Sequence, residues 1–233
     1  MKRPGRYFSI LADLLYPRTC SVCSRTLQQH EQHLCLYCLR NIPRTQHHLD
    51  GGDNEMEQLF RGKIPIEKAA AFFYFTSDSD YRTLIHRIKY RDEKECARYL
   101  GTLYAQEIGT AFFAGIDRLV PVPLHPRQRR QRGYNQSECI ADGIAAVTGL
   151  PVSADLLQRS RYTPTQTAKD SARRWENVQD AFALQGNPAE VGGQHLLLID
   201  DVVTTGATLQ ACALPLLGIK NVKISLLTLA ITR

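Results

Sequence analysis

Two groups of residues in this 233-residue chain have types and spacings that can do chemistry. The first is the stretch LLLIDDVVTTGATLQ, residues 196–210, where an apolar run ends on Asp200 and Asp201 and a threonine- and glycine-bearing turn follows. Ionised carboxylates accept hydrogen bonds, so the pair suits sugar hydroxyls or a hydrated magnesium ion. The turn Thr204, Thr205, Gly206, Ala207 and Thr208 leads into a second apolar run that reads as a helix. A helix start offers unpaired N–H groups and the positive end of the helix dipole, both favourable to a phosphate. Gly206 lets the backbone approach closely, and the threonine hydroxyls donate further bonds. A phosphate site one turn from two carboxylates points to a phosphorylated sugar. A plain strand, turn and helix with capping threonines accounts for the helix start but leaves two aspartates on an apolar strand unexplained. Rival phosphate motifs are missing: there is no Gly-x-x-x-x-Gly-Lys-Ser/Thr and no Gly-x-Gly-x-x-Gly. An aspartyl-phosphate motif of the Asp-x-Asp type needs a carboxylate where Val202 stands.

The second group is CSVC and CLYC, which set Cys20, Cys23, Cys35 and Cys38 as two Cys-x-x-Cys knuckles. Four thiolates at this spacing surround one tetrahedral zinc ion. Disulfides are the rival reading and need an oxidising compartment, which nothing else in the sequence suggests. With thiolates in all four positions no water is left to activate, so the zinc is expected to be structural, holding a segment too small for its own core. His30, His33, His47 and His48 lie nearby and are expected to be solvent-exposed, while Cys96, Cys139 and Cys212 read as buried small apolar residues.

These groups need elements to position them. KAAAFFYF reads as a strand, YRTLIHRIKY and ECARYLGTLYAQEIGTAF as helices, RLVPVP as a short strand, and NQSECIADGIAAVTG as a helix stopped by Gly149. A charged, structureless segment 159–177 precedes a strand AFAL, the strand and helix of the first motif, and a last strand KISLLTLAI. Strands alternating with helices predict an α/β domain with a mainly parallel sheet and flanking helices. In such sheets ligands sit beyond the carboxyl ends of the strands, where three loops gather: the one after LVPVP, the basic segment, and the first motif. The chain divides into a helix and four-cysteine module at 1–45, a polar linker at 46–65, and the α/β domain at 66–233. Apolar content of 43%, charged content of 22% and a formal charge of +6 fit a soluble globular chain and either a nucleic-acid or a polyanionic partner. The start, MKRPGRYFSILADLLYPRTC, imitates a signal peptide, but Asp13 interrupts its apolar stretch and no cleavage site follows, so an amphipathic first helix is expected. No apolar run approaches the ~20 residues of a membrane span, and a cytoplasmic protein is expected.

Apolar residues, Asp-Asp, two apolar residues and Thr-Thr-Gly-x-Thr resemble the signature by which type I phosphoribosyltransferases bind phosphoribosyl pyrophosphate (PRPP). The stretches VPVPLHPRQRRQRGYNQS (120–137) and RSRYTPTQTAKDSARRWENVQDAF (159–182) are similar to the ComF family, competence-associated proteins that join an N-terminal zinc module to a phosphoribosyltransferase domain. LLYPRTCSVC and IHRIKYRDEKECARYLG share that likeness, which therefore covers nearly the whole chain. The resemblance implies that Asp200 and Asp201 bind ribose hydroxyls and Thr204 through Thr208 the 5-phosphate. It places the loop 121–125, with Pro123, Leu124, His125 and neighbouring Arg127, at the pyrophosphate, and makes segment 159–177 a lid that brings in Arg174. Magnesium would accompany PRPP. Three departures from the family pattern, Tyr134 for phenylalanine, Gln128 within the arginine-rich run and Lys169 at an apolar lid position, blur which arginine does what.

Independently of the family, displacement at an anomeric carbon needs cations around a departing pyrophosphate, and Arg127, Arg129, Arg130 and Arg132 in one loop with Arg173 and Arg174 in the other supply them. A solvated basic face is the alternative use for those arginines. His125 is read either as an acid or base or as a loop histidine bonded to backbone. Nothing in the sequence predicts an acceptor pocket. The function is read as PRPP binding with a role in DNA uptake, natural transformation or DNA utilisation. The alternatives are a non-catalytic adaptor for single-stranded DNA or competence proteins (helicase or DNA-processing factors), and a nucleobase-salvage phosphoribosyltransferase. Tyr134, Tyr162 and Trp175 lie among basic residues, as single-strand binding favours, although a lone tryptophan is more often core.

Overall fold

The computed structural model describes residues 17–50, 52–76, 78–90, 93–160 and 181–233. The expected first helix and, from the segment expected to be a lid, Tyr162, Lys169, Arg173, Arg174 and Trp175 lie outside the described residues.

Four strands form a parallel sheet: β1 (Ala69–Phe75), β2 (Arg118–Pro121), β5 (His195–Val203) and β6 (Lys223–Thr232), in the order β1-β6-β5-β2. Their sequences are near-continuous apolar runs because both faces are covered, as parallel strands require. Alternate residues of β5 and β6 feed two cores. On one face Leu197, Ile199, Leu227 and Leu229 pack with helices α4 (Lys94–Ile108) and α7 (Gln136–Thr148). On the other, Leu196, Leu198 and Leu226 pack with α8 (Ala207–Leu217) and with α2 (Glu55–Phe60). Helices α4 and α7 approach unusually closely: a Cβ on Gly101 would lie 2.2 Å from the Ile140 carbonyl oxygen, and one on Gly143 2.0 Å from that of Arg98.

Several expectations need revision. The basic run after LVPVP is not a loop: residues 126–132 form helix α6 (Pro126–Arg132), begun by a proline and closed by Gly133 in the left-handed region. The basic segment does not start structureless, since Arg159 ends β3 (Leu157–Arg159). AFAL, as β4 (Phe182–Leu184), does not join the main sheet; it pairs antiparallel with β3 in a separate two-stranded sheet. Residues 46–65 hold a short 3-10 turn (His47–Leu49) and α2, whose Met56 and Phe60 are fully buried. His47 is buried rather than exposed, and its Nδ1 accepts the Ala71 N–H of β1, while His33 and His48 are half-buried. Cys96, Cys139 and Cys212 are buried within the two cores.

The cysteine knuckles carry a short helix α1 (Leu36–Arg40) and share the core of α4 and α7. They are tied to helix α3 (Tyr81–Tyr90) at both ends. Tyr81 Oη donates to the Cys38 carbonyl at 2.6 Å, and Arg87 donates to the Cys20 carbonyl at 3.5 Å and to Ser24 Oγ at 3.0 Å. Glu93 accepts from Ser21 Oγ at 2.6 Å and pairs with Arg87 at 3.5 Å.

Candidate functional site

Strand β5 delivers Asp200 and Asp201 to the carboxyl edge of the sheet, and both are buried, at 8% and 4% exposure. Burying two adjacent carboxylates is costly unless each is bonded and compensated. Asp200 Oδ1 accepts from Ser137 Oγ at 3.0 Å and from the Asp201 N–H at 2.9 Å, and Asp201 Oδ1 accepts the Val202 N–H at 2.7 Å. Asp201 Oδ2 has no well-directed hydrogen bond, but the Lys89 ammonium stands 3.1 Å away. Burial and the neighbouring charge of Asp201 push the Asp200 carboxyl up to about 7, against the opposing pull of Lys89 and Ser137. Burial draws the Lys89 ammonium down, yet Asp201 and then Asp200 outweigh it and hold it above its ordinary range. Two further cations act here. Arg132 stacks its guanidinium 5.0 Å from the Tyr90 ring centre and opposes the charge on Lys89. Burial lowers Arg159, whose guanidinium lies over Phe182 at 5.2 Å, while Cys212 and Asp200 pull it back up. Among the described residues, the buried Arg159 Nε has no hydrogen-bond partner.

Past the pair the chain turns at Thr204 to Gly206 and starts α8. Gly206 has φ +79°, and a Cβ there would lie 2.8 Å from Cε1 of Phe60, so only glycine fits on both counts. Among the described residues no side chain caps α8, so the threonines do not serve as caps and the first N–H groups of the helix are left for another acceptor. The backbone turn rests against Phe60 of α2.

The loop 121–125 leaves the sheet beside this edge, because β2 pairs with β5 (Pro121 opposite Ile199) and the Val122 N–H bonds the Ile199 carbonyl at 2.9 Å. Asn135 holds the loop by donating to the Val122 carbonyl at 3.0 Å and caps α7 through the Ser137 N–H. Pro123 is buried and Leu124 half-buried; His125 caps α6 by accepting the Arg127 N–H on Nδ1 at 3.2 Å, the backbone-bonded role considered for it. Arg129 is paired with Glu138 at 2.6 Å. The structure thus brings Asp200, Asp201, the turn 204–208 and the loop 121–125 to one edge, while Arg174 lies outside the described residues. A shallow apolar groove lined by Leu184, Pro188, Pro215 and Ile219 lies away from that edge, beyond the far end of α8.

Sequence reasoning missed Lys89, Ser137 and Arg159. Lys89 had left a signal: it follows Ile85 by four residues and so falls on the buried stripe of α3, where an unpaired lysine would be costly. Ser137 looks like any first-turn helix residue, and Arg159 like the start of a charged loop.

The four cysteine sulfurs lie within 4.8 Å of one another, and Cys23 Sγ is 3.8 Å from Cys35 Sγ. Sulfurs 2.3 Å from a central zinc form a tetrahedron with edges of about 3.8 Å, so the donor set fits that ion. The Cys35 and Cys38 N–H groups point at Cys20 and Cys35 Sγ, both at 3.4 Å, the arrangement that steadies thiolates. Burial raises Cys20, but N–H groups from Cys35, Cys23 and Val22 outweigh it and bring the thiol down to about 7. Among the described residues no helix is long and apolar enough to cross a membrane.

The molecule is therefore an α/β protein with a parallel sheet and a four-cysteine cluster that could form a zinc module. Its sequence is 32% identical over 202 residues to the DNA utilization protein YhgH of Salmonella typhimurium, covering 83% of this chain and 82% of that protein. The Escherichia coli K12 protein of the same name is 31% identical over the same shares. Competence protein ComFC of Bacillus subtilis is 24% identical over 196 residues, 84% of this chain and 76% of that protein. The chain belongs to the family of these DNA utilization and competence proteins. No family model matches it. Similar solved structures are phosphoribosyltransferases. The glutamine PRPP amidotransferase of B. subtilis has a TM-score of 0.40 and 19% identity, with 61% of this chain aligned to 30% of that chain. The adenine phosphoribosyltransferase of Leishmania tarentolae has a TM-score of 0.37 and 12% identity, with 76% of this chain aligned to 88% of that one.

Proposed function

We propose that the chain binds PRPP with magnesium at the carboxyl edge of β5 and transfers its phosphoribosyl group to an acceptor, in the service of DNA uptake or utilisation. The observation that carries this reading is a buried pair of aspartates set one turn before a long helix whose N-terminus no side chain caps. In this reading Asp200 and Asp201 accept hydrogen bonds from the ribose hydroxyls, and Ser137 keeps Asp200 aimed. The N–H groups of Ala207 and Thr208 and the hydroxyls of Thr204, Thr205 and Thr208 take the 5-phosphate. The loop 121–125, Arg127 and, from the lid, Arg174 meet the pyrophosphate, whose oxygens carry the magnesium. Zinc held by Cys20, Cys23, Cys35 and Cys38 is structural. The biological setting rests on the relatives' names, DNA utilization protein and competence protein.

Calorimetry with PRPP and Mg²⁺ tests the site. Wild type is expected to bind, and the Asp200→Asn/Asp201→Asn variant to bind at least tenfold more weakly; a wild type that does not bind ends this reading. A second reading, a non-catalytic adaptor for single-stranded DNA, draws on the exposed arginines of α6. It requires affinity for an oligonucleotide that falls steeply with salt, because phosphate contacts release counterions.

A further inference from the structure

The carboxylate pair already has a cation. The backbone and Ser137 bonds engage Oδ1 of Asp200 and Oδ1 of Asp201, whereas Asp201 Oδ2 faces Lys89 at 3.1 Å. Oδ2 is also the atom without a directed hydrogen bond, and the Asp201 side chain is only 6% exposed. A metal ion seeking Asp201 would have to take the place of the ammonium or share the pocket with it, beside Arg132 and Arg159, whose charges act on the same cluster. A sugar hydroxyl faces no such conflict, because it donates to a carboxylate that keeps its counter-ion.

Building on the reading of the pair as a ribose site, we propose that Lys89 is its resident counter-ion and bars a bare divalent cation, so that metal reaches the site only on a phosphorylated ligand. Lys89 is then a specificity-determining residue that acts through Asp201. It selects a diol over a metal ion in the free protein, and it imposes an order in which magnesium arrives with the pyrophosphate. The Lys89 side chain is 26% exposed, which leaves it room to withdraw when a metal-bearing ligand enters.

The test uses Mn²⁺ alone, titrated into zinc-loaded protein and followed by electron paramagnetic resonance, so it does not depend on PRPP. Lys89→Met is expected to bind Mn²⁺ at least tenfold more tightly than wild type. Lys89→Arg, which keeps the charge, is expected to match wild type, and Lys89→Met/Asp201→Asn is expected to lose the gain. Should Lys89→Met fail to fold, as judged by circular dichroism and zinc content, Lys89→Gln takes its place with the same expectation. A neutral variant that binds Mn²⁺ no better than wild type overturns the proposal, as does a gain that survives Asp201→Asn. Tight Mn²⁺ binding by the neutral variant, in a protein whose wild type ignores PRPP, would sustain the counter-ion role while removing the substrate assignment.

Discussion

Replacing Asp200 with asparagine is expected to stabilise the protein at neutral pH while weakening its ligand site. The wild-type carboxyl is pushed from 3.8 up to about 7 by burial and by Asp201. An acid whose folded pKa is raised keeps its proton where the unfolded chain has lost it, so the native state binds more protons between those two values. Stability should therefore fall as pH rises from about 4 to about 7 and change no further from this source on either side. At about 1.4 kcal/mol per unit, a shift of roughly three units gives about 4 kcal/mol as an upper figure. Asparagine removes that penalty but gives up charge-assisted bonds from Ser137 and the Asp201 N–H, at a cost of about 1–2 kcal/mol. The expected gain near neutrality is about 2–3 kcal/mol, absent below pH 4. His33, His47 and His195, each lowered by burial, contribute the opposite slope in both proteins. The difference between the two proteins' urea-denaturation curves, measured across the window, isolates Asp200. Parallel curves, with no growth in the difference as pH rises, would refute the claim that burial and Asp201 hold the Asp200 carboxyl up.

Four further outcomes follow from the geometry. Gly206→Ala should cost about 1–2 kcal/mol for the left-handed backbone and more for the clash with Phe60, lowering Tm and weakening ligand binding together. Gly143→Ala, placing a methyl 2.0 Å from the Arg98 carbonyl oxygen, should force α4 and α7 apart at a cost of about 3 kcal/mol, seen in denaturation without change in zinc content. Ser137→Ala should cost about 1–3 kcal/mol and move Asp200 further up, a shift readable in a carboxyl-carbon NMR titration. Stripping the metal with a chelator, or Cys38→Ser, should abolish stoichiometric zinc and speed hydrogen exchange in residues 17–45.

What was legible in the sequence was whatever local pattern controls. The apolar runs of β1, β5 and β6, the stripes of α3 and α7, the Gly149 stop and the cysteine spacing all follow from burial, helical period and ligand geometry within one segment. That the apolar strand carries Asp200 and Asp201 near its carboxyl end was legible for the same reason, although β5 runs on to Val203 where the sequence reading ended it on the pair. Long-range pairing was not. AFAL has the alternation of any short strand, and only the fold directs it to β3 instead of the main sheet. The run PRQRRQR is too polar to show an apolar period, and its helix depends on an N1 proline, the His125 cap and Gly133. Phe60, in a stretch that reads as linker, becomes the floor beneath Gly206 through a contact that spans more than half the chain.

Helix α3 carries Arg87 and Lys89 two residues apart, which at about 100° per residue sends them to opposite sides of the helix. One reaches the Cys20 carbonyl and Ser24, the other Asp201, while Tyr81, about two turns earlier, holds the Cys38 carbonyl. The helix is thus a beam pinned at one side by the cysteine knuckles and resting at the other on the acidic pair. A protein trimmed of its first 45 residues keeps every acidic and threonine residue of the site yet loses those pins. Any free energy that couples the two ends must act equally in both directions. Ligand at the aspartates should tighten zinc, measured at equilibrium against a competing chelator, by the same factor that zinc tightens the ligand, and a factor of one in both measurements would show that the beam transmits nothing.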